Sequence, residues 1–263
     1  MRVLSIDLDY CMFPCIKRYQ RDVPCLRHPV MAWMRFFHLF DDVKESELLI
    51  DKESLHDCYN VFSKALQHCD NVGFAYDHDG ILYELENKSD IEIINFDYHG
   101  DIVNLSEFFY LINEDEEEDD DDEEYNPRKF IAEVESSCIR KYDNVMEGNW
   151  VAWLHENDKL KKYTLITSNE ESINPEDKRF PNNYLNGKYD VKLREQYEFS
   201  DYKFDYIFVC LSPLYIPPKY WGYFKLFIDT AKKITGKQPN IINQKYEFDA
   251  ISRAMNKYIG IMS

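Results

Sequence analysis

The sequence predicts an α/β protein of three layers, a mostly parallel sheet with helices on both faces. Three observations carry this. Short apolar runs recur along the chain and are continuous rather than alternating, the pattern of strands covered on both sides. Segments with apolar residues at helical spacing separate them. The chain has 263 residues, 44% hydrophobic and 16% aromatic, enough material for a sizeable core. Residues 1–263 are read as a single α/β domain.

Taken in order, the first strand is RVLSID (2–7), followed by a helix over PVMAWMRFFHLF (29–40) and another over LHDCYNVFSKALQHC (55–69). VGFAY (72–76) and IEIINFD (91–97) are the next two strands. A helix over GNWVAWLHEN (148–157) precedes the strand YTLITS (163–168). YIFVCLS (206–212) is the last predicted strand, and helices over 220–235 and 246–260 follow it. No internal repeat interrupts this alternation.

The net charge of −18 is concentrated: eleven consecutive acids, Glu114 to Glu124, leave only −7 for the rest of the chain. Such a block repels itself and buries no apolar area, so 113–126 is expected to be a solvated, disordered insertion. It is either a tolerated surface feature or a lure for a basic partner. No basic face suited to phosphate is visible, which argues against nucleic acid. No apolar stretch reaches membrane-spanning length, and the acids within MRVLSIDLDYC are unlike a signal peptide. The seven cysteines include no CxxC pair, so neither a disulfide framework nor a zinc knuckle is indicated. Cys11 and Cys15 read as buried apolar thiols. A soluble cytoplasmic protein is expected.

Three of the predicted strands end in ionisable residues. SIDLDY supplies Asp7 and Asp9, AYDHDG supplies Asp77, His78 and Asp79, and NFDYHGD supplies Asp97, His99 and Asp101. Ligands of an open α/β sheet gather beyond the carboxyl ends of its strands. If these strands are neighbours, the three clusters share one crevice. Singly each has a plain explanation, an Asx-capped turn or a surface histidine. Together they crowd like charges at one rim, which disfavours folding unless a cation neutralises them. Carboxylates mixed with imidazole suit a hard or borderline divalent ion such as manganese better than structural zinc.

These motifs resemble the arginase-like ureohydrolases, whose binuclear manganese site is built from DxHxD at a strand end, a separate upstream His, and DxD on another strand. Carried over, the resemblance implies two Mn2+, one held by His78, Asp97, Asp101 and Asp7, the other by Asp97, His99, Asp7 and Asp9. Gly148 and Asn149 stand where arginases have a Gly-Asn pair opening the next helix. DxD before DxHxD is the order of the small branch that includes peptide arginases, which convert arginine side chains of peptides to ornithine. The resemblance thus implies hydrolysis of a guanidinium with release of urea, Asp101 accepting the proton, and an arginine-containing peptide as partner and substrate.

The chain departs from that family at Val151, where arginases carry a proton-transferring histidine. His155, one turn further on, is the candidate replacement, although solvent exposure is its plain reading. Three rival readings stay open. SIDLDYC also resembles the DxD of haloacid dehalogenase-like phosphatases, with Asp7 as nucleophile, but Cys11 stands where they have Thr. Deacetylase-like hydrolases share the fold but use one zinc and fewer acids. A metal-binding interaction protein without catalysis is the third.

YIFVCLSPLYIPPKYWGYF brings Ser212, Tyr215, Pro217, Pro218, Tyr220 and Trp221 to the same predicted rim. The candidate substrate-binding residues are Asn149, which the resemblance implies, and Ser212 and Tyr215, since a stiff aromatic loop makes a wall for an extended peptide. Trp221 is expected to pack into the core instead.

Overall fold

The computed structural model describes residues 1–12, 49–102, 145, 148–167, 187–213 and 215–242. The predicted helices at 29–40 and 246–260 and the acidic insertion at 113–126 lie outside these residues. Strands β1 (Arg2–Asp7), β2 (Val72–Ala75), β3 (Ile91–Phe96), β4 (Leu160–Thr167), β5 (Tyr189–Leu193), β6 (Tyr206–Cys210) and β7 (Asn240–Ile242) form one sheet in the order β5-β4-β3-β1-β6-β2-β7. Every pairing within it is parallel, which makes the fold the three-layer α/β class that the sequence predicts.

Two strands escape the apolar-run criterion. β5, YDVKL, lies at one edge and is only half-buried along most of its length, so its sequence carries charges. β7 is a three-residue strand at the opposite edge. A further difference concerns order: β6 lies between β1 and β2, so the strands carrying the three acidic clusters are not all neighbours.

Among the described residues, four α-helices flank the sheet: α1 (Lys52–Ala65), α2 (Leu82–Leu85), α3 (Trp150–Glu156) and α4 (Gly222–Thr235). Asp51 caps α1 by accepting from the Glu53 amide at 3.0 Å, so this helix starts three residues before the predicted Leu55. Gly236 ends α4 in the left-handed conformation at φ 68°. On one face α1 and α4 pack together, with Phe62 and Phe227 ring centroids 4.9 Å apart and the Tyr59 and Thr230 hydroxyls 2.9 Å apart. Burying a phenylalanine of this kind contributes about 1.5–3 kcal/mol. On the other face Leu82 and Leu85 of α2 and Trp150, Val151 and Leu154 of α3 cover Ile93, Leu165 and Phe208.

The two-residue repeat of β1 divides its side chains between these cores. Leu4 and Ile6 belong to the α1–α4 side and Val3 to the α3 side. Ser5 and Asp7 therefore follow Val3 onto the face covered by α3. Ser5 is in register with Asn95, and Ile6 with Phe96, so Asp7 and Asp97 emerge side by side at the carboxyl ends of β1 and β3. Among the described residues no helix is long and apolar enough to cross a membrane.

Candidate metal centre

Beyond β1 the chain turns into a short 3-10 helix, Leu8–Cys11, with the Asp7 carboxylate accepting from the Asp9 amide at 3.1 Å. This Asx turn puts Asp9 next to the loop after β3. The Tyr98 amide donates to Asp9 Oδ1 at 3.2 Å, and His99 Nδ1 stands 2.8 Å from Asp9 Oδ2. The Asp97 carboxylate in turn accepts from the His99 amide at 2.7 Å. His78 opens the 3-10 helix His78–Ile81 after β2 and crosses the end of β6 to join them. Its Nδ1 lies 3.2 Å from Asp7 Oδ2, 3.2 Å from Asp97 Oδ2 and 2.8 Å from Asp101 Oδ2.

All six predicted ligands, Asp7, Asp9, His78, Asp97, His99 and Asp101, are thus brought to one place. Two trios could each hold an ion, Asp7 with His78 and Asp97, and Asp9 with Asp97 and His99, their donor atoms within 4.8 Å of one another. Asp97 belongs to both. Five of the six ligands are buried, whereas a third of the His99 side chain is exposed and marks the open edge.

The donors fit a cation. His78 Nδ1 is buried and makes no aligned hydrogen bond, although three carboxylate oxygens surround it. Adjacent donors to an ion bound at about 2.1 Å stand about 3 Å apart, the separation seen around this nitrogen. Oxygen and imidazole donors without a thiolate suit a hard or borderline divalent metal.

Electrostatics point the same way. Burial, then the nearby Asp101 and Asp7, push the Asp97 carboxyl up to about 7, against the pull of His78. Asp7 is raised by burial and Asp9, and Asp9 by burial and Asp97. Burial works against a charge on His99, but Asp9, Asp97 and Asp101 outweigh it and lift the imidazole to about 9. Burial likewise opposes a charge on His78, yet Asp101, Asp7 and Asp97 hold it well above its ordinary range. The buried carboxylates are short of positive charge, and each histidine is drawn towards carrying some.

Several side chains orient the ligands, and the sequence alone did not single them out. Ser5 Oγ is 2.8 Å from His78 Nε2, leaving Nδ1 to face the carboxylates. Asn95 donates to Asp97 Oδ2 at 3.0 Å and to the Tyr163 hydroxyl at 2.9 Å, and that hydroxyl donates to the Gly100 carbonyl at 3.2 Å. Trp150 donates its indole N–H to Asp101 Oδ2 at 2.7 Å. Ser5 and Asn95 did leave a signal: each is a polar residue inside an apolar strand, two positions before an acid and so on its face.

The remaining candidates fall in different places. Ser212, at φ 48°, donates to Asp7 Oδ2 at 2.5 Å, so it supports a ligand rather than lining an open wall. Tyr215 is half-buried, its ring centroid 4.9 Å from that of His99, at the open edge. Asn149 is fully buried as the first residue before α3. His155 is half-buried in the last turn of α3, about 7.5 Å along the axis from Trp150, which touches the cluster. Val151 is fully buried in apolar surroundings. Trp221 is a core residue, as expected, with its indole donating to the Ile216 carbonyl at 2.8 Å. Cys11 is a buried free thiol, also as expected. No family model, curated protein or solved structure matches the chain.

Proposed function

We propose that the chain is a binuclear manganese hydrolase of the arginase-like kind, releasing urea from a guanidinium, and that its substrate is an arginine side chain within a peptide, left as ornithine. One observation carries the reading: two donor trios share Asp97, the arrangement a bridged ion pair requires. Charge supports the number of ions, because Asp7, Asp9, Asp97 and Asp101 carry four negative charges that two divalent ions balance.

Ions bound here supply Lewis acidity and a water acidic enough to act as nucleophile near neutral pH. The chain's own residues do the rest. Asp97 would be common to both ions, with His78, Asp7 and Asp101 completing one set of ligands and Asp9 and His99 the other. Asp101 takes the proton of the nucleophile as the planar guanidinium carbon becomes tetrahedral. The proton held by Asp101 passes to the leaving amine, and collapse expels that amine and frees urea. Buried free thiols at Cys11, Cys58, Cys69 and Cys210 suit a reducing, cytoplasmic setting.

Two other readings are weighed against this one. A phosphatase with Asp7 as nucleophile leaves His78 and His99 without a task, and Asp7 Oδ2 already accepts from Ser212. A metal-binding protein without catalysis draws support from Val151, whose apolar burial removes the family's imidazole. The deciding assay is urea release from arginine, agmatine and arginyl peptides by protein loaded with Mn2+, alongside metal analysis. Urea from the peptides and about two Mn2+ per chain are expected. Two bound ions with no urea from any substrate overturns the hydrolase in favour of the non-catalytic reading.

A further inference from the structure

Asp101 is held in a way that the ligand pattern does not explain. Its φ is 51°, a left-handed conformation that costs an aspartate less than most residues but still has to be held by its surroundings. Three contacts from two elements do so. The Val151 amide, at the start of α3, donates to the Asp101 carbonyl at 3.3 Å. The Trp150 indole donates to Asp101 Oδ2 at 2.7 Å. From β4, the Tyr163 hydroxyl donates to the carbonyl of Gly100, the residue just before. Trp150 and Tyr163 also brace each other edge to face, with ring centroids 6.2 Å apart, and Trp150 lies against the His78 ring at 4.8 Å.

We infer that Trp150 and Tyr163 are positioning residues that aim the Asp101 carboxylate at the ion held by His78. Oδ2 of Asp101 is the oxygen nearest His78 Nδ1. Once an ion takes that nitrogen as a ligand, no proton remains between His78 and Asp101, and the indole is the described side-chain donor that still fixes Oδ2. An indole suits the task because it donates one hydrogen bond and never ionises. A lysine or arginine there would neutralise the carboxylate and compete with the metal. Tyr163 acts on the backbone instead, by fixing the peptide that leads into the left-handed turn.

The inference rests on the metal-centre part of the proposed function and not on the guanidinium substrate. Its test is a calorimetric titration with Mn2+ alone of the wild type, Trp150→Phe, Asp101→Asn and the double variant. Trp150→Phe is expected to weaken one of the two ions about tenfold or more and leave the other within about threefold. In the Asp101→Asn background the same change is expected to add nothing, since the carboxylate it aims is gone. An equal loss in both backgrounds, or no loss in either, overturns the inference, because it makes Trp150 mere packing. Should Trp150→Phe fail to unfold cooperatively, Tyr163→Phe removes one oxygen and keeps its ring on Tyr189, which it parallels at 5.7 Å. Because Tyr163 also accepts from Asn95, which bonds the shared Asp97, a loss larger at the His78-side ion than at the other is expected there, and unchanged affinity overturns the inference. Two Mn2+ bound by a wild type that releases no urea sinks the guanidinium reading and leaves this one standing. A wild type that binds no Mn2+ ends both.

Discussion

Ser5 and His78 meet through a 2.8 Å contact between a strand hydroxyl and an imidazole Nε2, both groups buried. With an ion on Nδ1 the imidazole proton stands on Nε2, where the hydroxyl accepts it, a selection of the tautomer that leaves Nδ1 free for the ion among Asp7, Asp97 and Asp101. Ser5→Ala removes that selection and strands a buried N–H. Mn2+ affinity at the His78 side is expected to fall by about tenfold, as read by calorimetry, with little change at the Asp9–His99 side. Equal affinity in Ser5→Ala would show that the ring is oriented by its packing against Phe208 and Trp150 instead.

Asp97 is common to both trios, so Asp97→Asn is expected to lose both ions and all urea release. The thermal shift that Mn2+ produces in the wild type should vanish with them, since binding free energy adds to folding free energy. Unchanged metal content in this variant removes the bridged site.

The pH dependence has a definite sign. Asp97 sits at about 7 in the folded chain against an ordinary 3.8, so between those values the folded state holds the extra proton and stability falls as pH rises. His99, raised from 6.5 to about 9, contributes stability that is complete below 6.5 and lost as pH climbs towards 9. Metal-free protein should therefore lose thermal stability steadily from about pH 4 to pH 9. The gain on adding Mn2+ should run oppositely, growing through pH 7 as protons cease to compete for the ligands. Unfolding scans with chelator and with Mn2+ across this range measure both, and parallel curves would contradict the shared site.

Gly80 follows His78 in its 3-10 helix, and a Cβ there would lie 2.6 Å from Cβ of Ala75. Carbons pack at about 3.5–4.0 Å, so the helix must move off β2 and carry His78 with it. Gly80→Ala is expected to cost about 1–3 kcal/mol in metal-free unfolding and to weaken Mn2+ binding as well. Stability and affinity both at wild-type levels would mean that the helix can shift without the ligand.

For substrate choice, kcat/KM on an arginyl peptide is expected to exceed that on free arginine tenfold or more, about 1.4 kcal/mol of extra transition-state binding. Tyr215, at the open edge beside His99, is the residue proposed to meet the peptide. Equal rates on both substrates would remove the peptide preference and keep the chemistry.

Much of this architecture can be read from the chain. Buried parallel strands are continuous apolar runs, and a run that ends in Asp97, His99 and Asp101 announces a site, because acids there are costly without a counter-ion. The supports are harder to see. Trp150 and Tyr163 look like ordinary core aromatics until the register of β3 and β4 and the entry of α3 bring them to Asp101 and Gly100. β5 leaves no such signal, because an edge strand need not be apolar on both faces. The insertion of β6 between β1 and β2 is a long-range choice that no local pattern encodes.

That insertion sets an order of events for a growing chain. β2 reaches β1 only through β6, and the Cys210 thiol bonds the Tyr76 carbonyl across 134 residues of sequence. Ser212 reaches Asp7 across 205. β1 and β3 pair directly and set Asp7 beside Asp97, but His78 joins them only once β6 has been made, long after every ligand is synthesised, and parallel pairing over such separations is slow. A nascent chain that has passed residue 101 but not yet released residue 212 from the ribosome carries every ligand and still has no seat for His78.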